Sequence, residues 1–111
     1  MQKLIAIYTT VATREDARRI ARELVGRKLA ACAQITEIES FYAWKGALVN
    51  EPEYRVLLKT TAARRAEVEQ AIRAIHPYEL PAIHAVEIAR VYEPYGDWVE
   101  RNSSVSEDSS V

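Results

Sequence analysis

Hydrophobic and polar residues follow two periods along this chain, and the switches between them mark its elements. Leu4-Ile5-Ala6-Ile7-Tyr8 is a continuous apolar run of strand formers, the pattern of a central strand buried on both faces. Thr9 and Thr10 read as its end. Thr13-Arg14-Glu15-Asp16 opens a helix, where the Thr13 hydroxyl can cap a backbone N–H and Asp16 can reach back. Ala17, Ile20, Ala21, Leu24 and Val25 follow at helical spacing. Gly26 is placed to end the helix in a left-handed conformation. Leu29-Ala30-Ala31-Cys32-Ala33-Gln34-Ile35 predicts the next strand, running on through Ile38 and Phe41 towards Trp44. Glu37 and Glu39 have one parity and hence share a face. Lys45-Gly46 reads as a hairpin turn, although lysine is poorly suited to positive φ. Leu48-Val49 resumes the strand, Asn50-Glu51-Pro52 interrupts it, and Tyr54 to Thr60 restores it. A proline there implies an edge or a bulge. Val68, Ala71, Ile72 and Ile75 form the stripe of a second helix, which Pro77 stops close to Ile75. Ala82 to Ile88 is the last main strand, and Val91 to Val99 is expected to hold a short helix around Trp98.

The order strand, helix, strand, strand, helix, strand is the split βαβ, or ferredoxin-like, arrangement of the α+β class. Right-handed crossovers place both helices on one face of an antiparallel sheet. The 111 residues suit one domain, assigned to residues 1–101. Residues 102–111 are half serine, with Asn, Val, Glu and Asp; they lack apolar content to pack and are expected to be disordered. The sheet face without helices then needs cover. Phe41, Tyr42 and Trp44 near the tip of a long hairpin add apolar surface, and strand edges stay open. Pairing with further copies resolves both. An oligomer is therefore predicted, with Phe41, Tyr42 and Trp44 at the subunit interface.

Half of the chain is apolar and about a quarter charged, the balance of a soluble globular protein. The formal net charge of -1 argues against nucleic acid as the main partner, since phosphate binding shows as a basic excess. Arg14, Arg18, Arg19, Arg22, Arg27 and Lys28 do cluster, but Glu15, Asp16 and Glu23 are interleaved with them, which reads as a solvated helix face. A single cysteine rules out an intrachain disulfide and the disulfide-stabilised secreted class. The N-terminal apolar run is too short to span a membrane, and no small-residue cleavage site follows it. A cytoplasmic protein without a membrane partner is expected.

The densest candidate chemistry lies in Ile75-His76-Pro77-Tyr78-Glu79-Leu80-Pro81, at the junction of helix and strand. Two prolines stiffen the backbone that carries Tyr78 and Glu79. A neutral His76 imidazole suits copper or zinc, with Glu79 or Tyr78 assisting. One histidine falls short of the three or four ligands a transition metal usually needs. The competing reading is a helix-ending residue that bonds its own backbone. Cys32 offers a soft thiolate ligand, yet among alanines it also reads as a small buried hydrophobe. Lys59 at a strand end could bind an anion in a cleft between subunits, or reach solvent. Glu37 and Glu39 suit a hard cation or merely solubilise a face. His84, mid-strand with no second ligand nearby, reads as a packed or surface histidine, and Trp98 as packing the C-terminal segment onto the sheet. No Gly-rich phosphate loop and no Ser-His-Asp or Cys-His pairing at recognisable spacing is present. Arg14 stands near the place where some ferredoxin-like folds hydrolyse small phosphates, but without a Gly-rich cradle. No enzymatic activity is expected.

Four segments, taken together, resemble the CutA family of divalent-cation tolerance proteins. They are Arg27-Lys28-Leu29-Ala30-Ala31-Cys32, Tyr42-Ala43-Trp44-Lys45-Gly46, Leu58-Lys59-Thr60 and His76-Pro77-Tyr78-Glu79-Leu80-Pro81. The likeness runs from about Leu4 to Trp98. It implies a ferredoxin-like homotrimer related in architecture to the PII signalling proteins, whose long second and third strands pair between subunits. It also implies a link to copper tolerance and divalent cations, with no reaction firmly assigned. His76, Cys32 and Glu79 are the metal candidates, for Cu(II) or another divalent cation such as zinc. The chain departs from some members at two places: Tyr8-Thr9 stands where they carry a cysteine, and Ile75 where they carry a second histidine. The PII likeness implies ligand clefts between subunits, for which Lys59 and Tyr78 are the candidates. A small-molecule sensor without a metal site, and a purely structural trimer, stay open beside the metal reading.

Overall fold

The structure is a computed structural model and describes residues 2–104. Its centre is β1 (Leu4–Val11), flanked on both sides by antiparallel partners. Then follow α1 (Arg14–Gly26), β2 (Cys32–Trp44) and β3 (Ala47–Thr61). A 3₁₀ turn at Ala62–Arg64 leads into α2 (Arg65–Ile75), then β4 (Ile83–Glu87) and α3 (Glu93–Asn102). The sheet order is β2-β3-β1-β4, every pairing antiparallel. This is the ferredoxin-like α+β arrangement that the element order predicts. No helix among the described residues is long and apolar enough to cross a membrane.

Strand parity separates two packed layers. Ile5 and Ile7 on β1 and Val56 and Leu58 on β3 point to one face, where they bury against Ala17, Ile20 and Leu24 of α1 and Val68, Ala71 and Ile72 of α2. Leu4 points the other way and packs with Ala31 and with Val99 of α3. So α1 and α2 share a face, and α3 covers one end of the opposite face. The anchor of α3 is the fully buried Val99, while Trp98 lies partly exposed, stacked on Tyr95 with ring centres 5.7 Å apart.

Several boundaries differ from the sequence reading, each for a local reason. Thr9 and Thr10 continue β1, because they stay paired with Val56 and Arg55. Leu29-Ala30-Ala31 is a buried lead-in, and β2 begins at Cys32. Gly26 ends α1 without positive φ; the left-handed residue is Lys28, at φ 60. Thr13 caps as expected, its Oγ1 accepting from the Asp16 N–H at 3.0 Å, but the Asp16 carboxylate turns to Arg19. That guanidinium holds the Asp16 carboxyl below its ordinary range. Asn102 belongs to α3, and Ser103 is buried with its hydroxyl donating to the Val99 carbonyl at 2.6 Å. The folded part thus runs past residue 101, and the expected disorder from residue 105 onward lies outside the described residues.

β2 and β3 are much longer than β1. Their register runs unbroken from Cys32↔Lys59 to Trp44↔Ala47. Lys45 and Gly46 close the hairpin with φ of 51 and 82, a tight two-residue turn. β1 ends opposite Tyr54. Beyond it, Ile38 to Glu53 forms an arm that, among the described residues, pairs only within itself. Pro52 stands in this arm, opposite Glu39, where β3 has lost its second neighbour; the strand therefore continues through it without interruption.

Two substitutions test these local assignments. Thr13→Ala should lower stability by about 1 kcal/mol through loss of the cap. Gly46→Ala should cost roughly as much, because φ at that position is left-handed. Urea unfolding of both variants beside the parent chain checks the pair; an unchanged midpoint for either would contradict the geometry.

Candidate functional site

α2 stops where Pro77 forbids another helical residue, and His76 adopts the extended conformation at φ -74, ψ 134. This turns the imidazole towards the end of β1. Its Nδ1 accepts from the Tyr78 N–H at 3.1 Å. The ring proton therefore sits on Nε2, which donates to the Thr10 carbonyl at 3.0 Å and also lies 3.0 Å from Thr9 Oγ1. Both ring nitrogens are thus engaged. Burial is the largest influence on this group and pushes its pKa below the ordinary histidine value. In this geometry His76 is a neutral strut between the α2 terminus and β1.

Tyr78 extends the same junction across the end of β1 to β3. Its hydroxyl donates to Glu53 Oε2 at 2.6 Å. Burial, with this bond to Glu53 next, raises the phenol well above its usual range. Glu53 is only 5% exposed and sits one residue beyond the last β1 pairing. Its neighbour on the arm repeats the motif: Tyr42 donates to Glu51 Oε1 at 2.6 Å, and this bond pushes the Tyr42 phenol up to about 12. Two tyrosine–glutamate pairs therefore follow one another along the arm, that of Tyr78 and Glu53 at its stem. Glu79, by contrast, is exposed.

Cys32 is elsewhere. It opposes Lys59, which in turn opposes Ala6. All three point to the α3 face, whereas Thr9, beside His76, points to the α1/α2 face. The displacement along β1 adds roughly 10 Å. The Cys32 thiol lies 3.8 Å from the Tyr95 hydroxyl, and Lys59 Nζ donates to that hydroxyl at 3.4 Å. The Lys59 ammonium also sits 5.3 Å from the Tyr95 ring centre. Burial raises the Tyr95 phenol above its usual range. A cation beside the thiol disfavours a second cation there. His76, Cys32 and Glu79 are thus not brought together within one chain. Within one chain Lys59 and Tyr78 do not share a cleft either, since one meets α3 and the other the arm.

The remaining candidates are engaged too. Glu37 pairs with Arg14 at 3.7 Å, and Glu39 accepts from Asn50 at 3.2 Å. With Ile38, Glu51 and Pro52 these residues bound a shallow recess of about 360 Å³ on the arm. Among the described residues no cluster of three or more His, Cys, Asp or Glu side chains is arranged to hold a metal ion. His84 is exposed and lies flat on Tyr8, ring centres 5.1 Å apart and planes 7° from parallel. Sequence reasoning missed Glu53 and Tyr95. The parity of Glu51, Glu53 and Arg55 marked a common face for that row, but nothing along the chain marked Glu53 as buried.

The His76 geometry fixes a pH dependence. The unfolded chain takes up a proton near the ordinary histidine pKa of 6.5, while the buried native ring resists it. This contribution to stability is present above that value and is lost as pH falls through the lowered native one. Denaturant melts at pH 7.5 and pH 5 should therefore show a larger loss for the parent chain than for His76→Gln. Equal losses would refute the assignment of a neutral, bonded ring.

Comparison with known proteins places this geometry in a lineage. Residues 5–102 match the family described as CutA1 divalent ion tolerance protein. A probable divalent-cation tolerance protein cutA homolog of Encephalitozoon cuniculi is 40% identical over 96% of this chain and 92% of its own length. The divalent-cation tolerance protein CutA of Thermotoga maritima is 35% identical over 89% of this chain and 98% of its own. Among solved structures, CutA1 from Ehrlichia chaffeensis superposes with a TM-score of 0.88 at 36% identity, covering 94% of this chain and 98% of that one. The periplasmic divalent cation tolerance protein CutA from Archaeoglobus fulgidus gives 0.89 at 36% identity, over 91% and 99%. With a family match across nearly the whole fold, and relatives this similar over their full length, the chain belongs to the CutA1 divalent ion tolerance family.

Proposed function

We propose that this chain acts as a homotrimer that binds a divalent cation, copper or zinc, in the response to metal ions, in the cytoplasm and without catalysing a reaction. The observation that carries the self-association is the arm. From Ile38 to Glu53 it has, among the described residues, no strand neighbour beyond its hairpin partner, and it exposes Phe41 (64%) and Leu48 (77%) along with Tyr42 and Trp44. Open backbone edges beside exposed apolar side chains favour pairing with an identical arm or sheet edge. The cation part is supported by the divalent-cation tolerance named for its relatives. Since no three His, Cys, Asp or Glu side chains among the described residues are arranged to hold a metal ion, such a site draws its ligands from more than one subunit.

A second reading is a ligand-sensing trimer without a metal site. One contact favours it: the half-buried Lys59 ammonium has the phenol and ring face of Tyr95 as partners and no carboxylate among the described residues. A small carboxylate or phosphate beside Lys59 and Tyr95 would neutralise it.

Light scattering at micromolar protein should give about three times 12.6 kDa, and Phe41→Glu should lower it; a parent chain of monomer mass would end the trimer reading. Calorimetric titration of tag-free protein with Cu(II) and Zn(II) should show binding that an unrelated protein of similar charge lacks. Equal uptake by both proteins would remove the metal part. Thermal shifts with carboxylates or nucleotides would then favour the sensor.

A further inference from the structure

We propose that His84, and not His76, is the imidazole this chain offers to a divalent cation, in a site completed by a second copy. The inference rests on the cation-binding reading above and names its ligand. A metal needs a ring nitrogen with a free lone pair. His76 has none to give: Nδ1 is bonded to the Tyr78 N–H, and Nε2 carries the proton shared with Thr10 and Thr9. Freeing it means undoing the end of α2. The Cys32 thiol sits beside the Lys59 ammonium and the Tyr95 hydroxyl, a poor place for a second cation.

His84 differs on each count. It is exposed, and neither ring nitrogen has a hydrogen bond among the described residues. Its ring is nonetheless held in orientation by the near-parallel stack on Tyr8, its directly opposed partner on β1. A pre-oriented ligand loses less freedom on binding. Arg55 approaches the same Tyr8 ring at 5.8 Å from β3, the strand on the other side of β1 from His84. The Tyr8 row lies on the sheet face that α1 and α2 do not cover, beyond the reach of α3's buried anchor at Leu4 and Ala31. One imidazole is one ligand, and copper or zinc takes three or four. In a symmetric assembly every copy carries the same imidazole and phenol on the same uncovered face. A copy brought to that face supplies the remaining donors.

The test uses the tag-free full chain titrated with Cu(II) alone, the divalent ion bound most tightly by nitrogen donors. His84→Phe keeps a flat ring against Tyr8 while removing both nitrogens, and His84→Ala removes the ring as well. The Cu(II) affinity of both should fall about tenfold or more, the least expected when a ligand rather than its support is lost. His76→Gln should leave it unchanged, with circular dichroism and mass verifying that each variant folds and assembles. In proton NMR, substoichiometric Cu(II) should broaden the His84 ring resonances before those of His76. Affinity intact in both His84 variants, or lost in a folded His76→Gln, overturns the assignment while leaving the cation-binding reading in place. A parent chain that takes up no Cu(II) removes both.

Discussion

The sheet is built from strands of unequal length, and the rest of the molecule answers to that mismatch. β1 has eight residues, while β2 and β3 have thirteen and fifteen. Where all three run side by side, backbone groups are paired and the face toward α1 and α2 is sealed. Past Val11 the hairpin continues alone. Its N–H and C=O groups are paired on one side only, and its side chains have no helix above them. Desolvating such groups without partners is costly, and leaving apolar ones in water forgoes burial. A second copy relieves both conditions at once, which ties the proposed assembly to the same inequality.

The His76 junction takes its form from this arrangement. At the end of β1 a helix terminus, a strand terminus and the stem of the arm converge. His76 and Tyr78 connect them with bonds to Thr9, Thr10 and Glu53. Pro77, between the two residues, fixes the backbone so that both rings arrive in place. A histidine is well suited here because its neutral ring both accepts and donates. The residue that looked most like a ligand along the chain is thus accounted for by the bonds it makes within the fold.

Much of the architecture was legible in the sequence because the local signals agree with one another. The periods of Ala17, Ile20 and Leu24 and of Val68, Ala71 and Ile72 gave both helices, and the four apolar runs gave the strands in their correct order. Strand ends were not legible: Thr9, Thr10 and Pro52 look like punctuation, yet pairing across the sheet overrides local preference. Gly26 invited a left-handed cap that Lys28 takes instead. The site was legible only in part. His76 could be located, but its bonding partners Thr9 and Thr10 lie on β1, distant in sequence. That Cys32 and His76 sit on opposite faces depends on register, which no local pattern reports.

A hairpin closed by only two residues has little slack, and its strands stay in register from stem to tip. From Glu53 to the turn it projects by about 20 Å at the usual strand rise. Such an arm behaves as a lever. A tilt of about 5° at the stem carries the tip through roughly 2 Å over that length, enough to take Phe41 and Trp44 in or out of contact with whatever they meet. The single bond between Tyr78 and Glu53 sits at the fulcrum. A change of angle at that junction would thereby be amplified at the far end of the molecule.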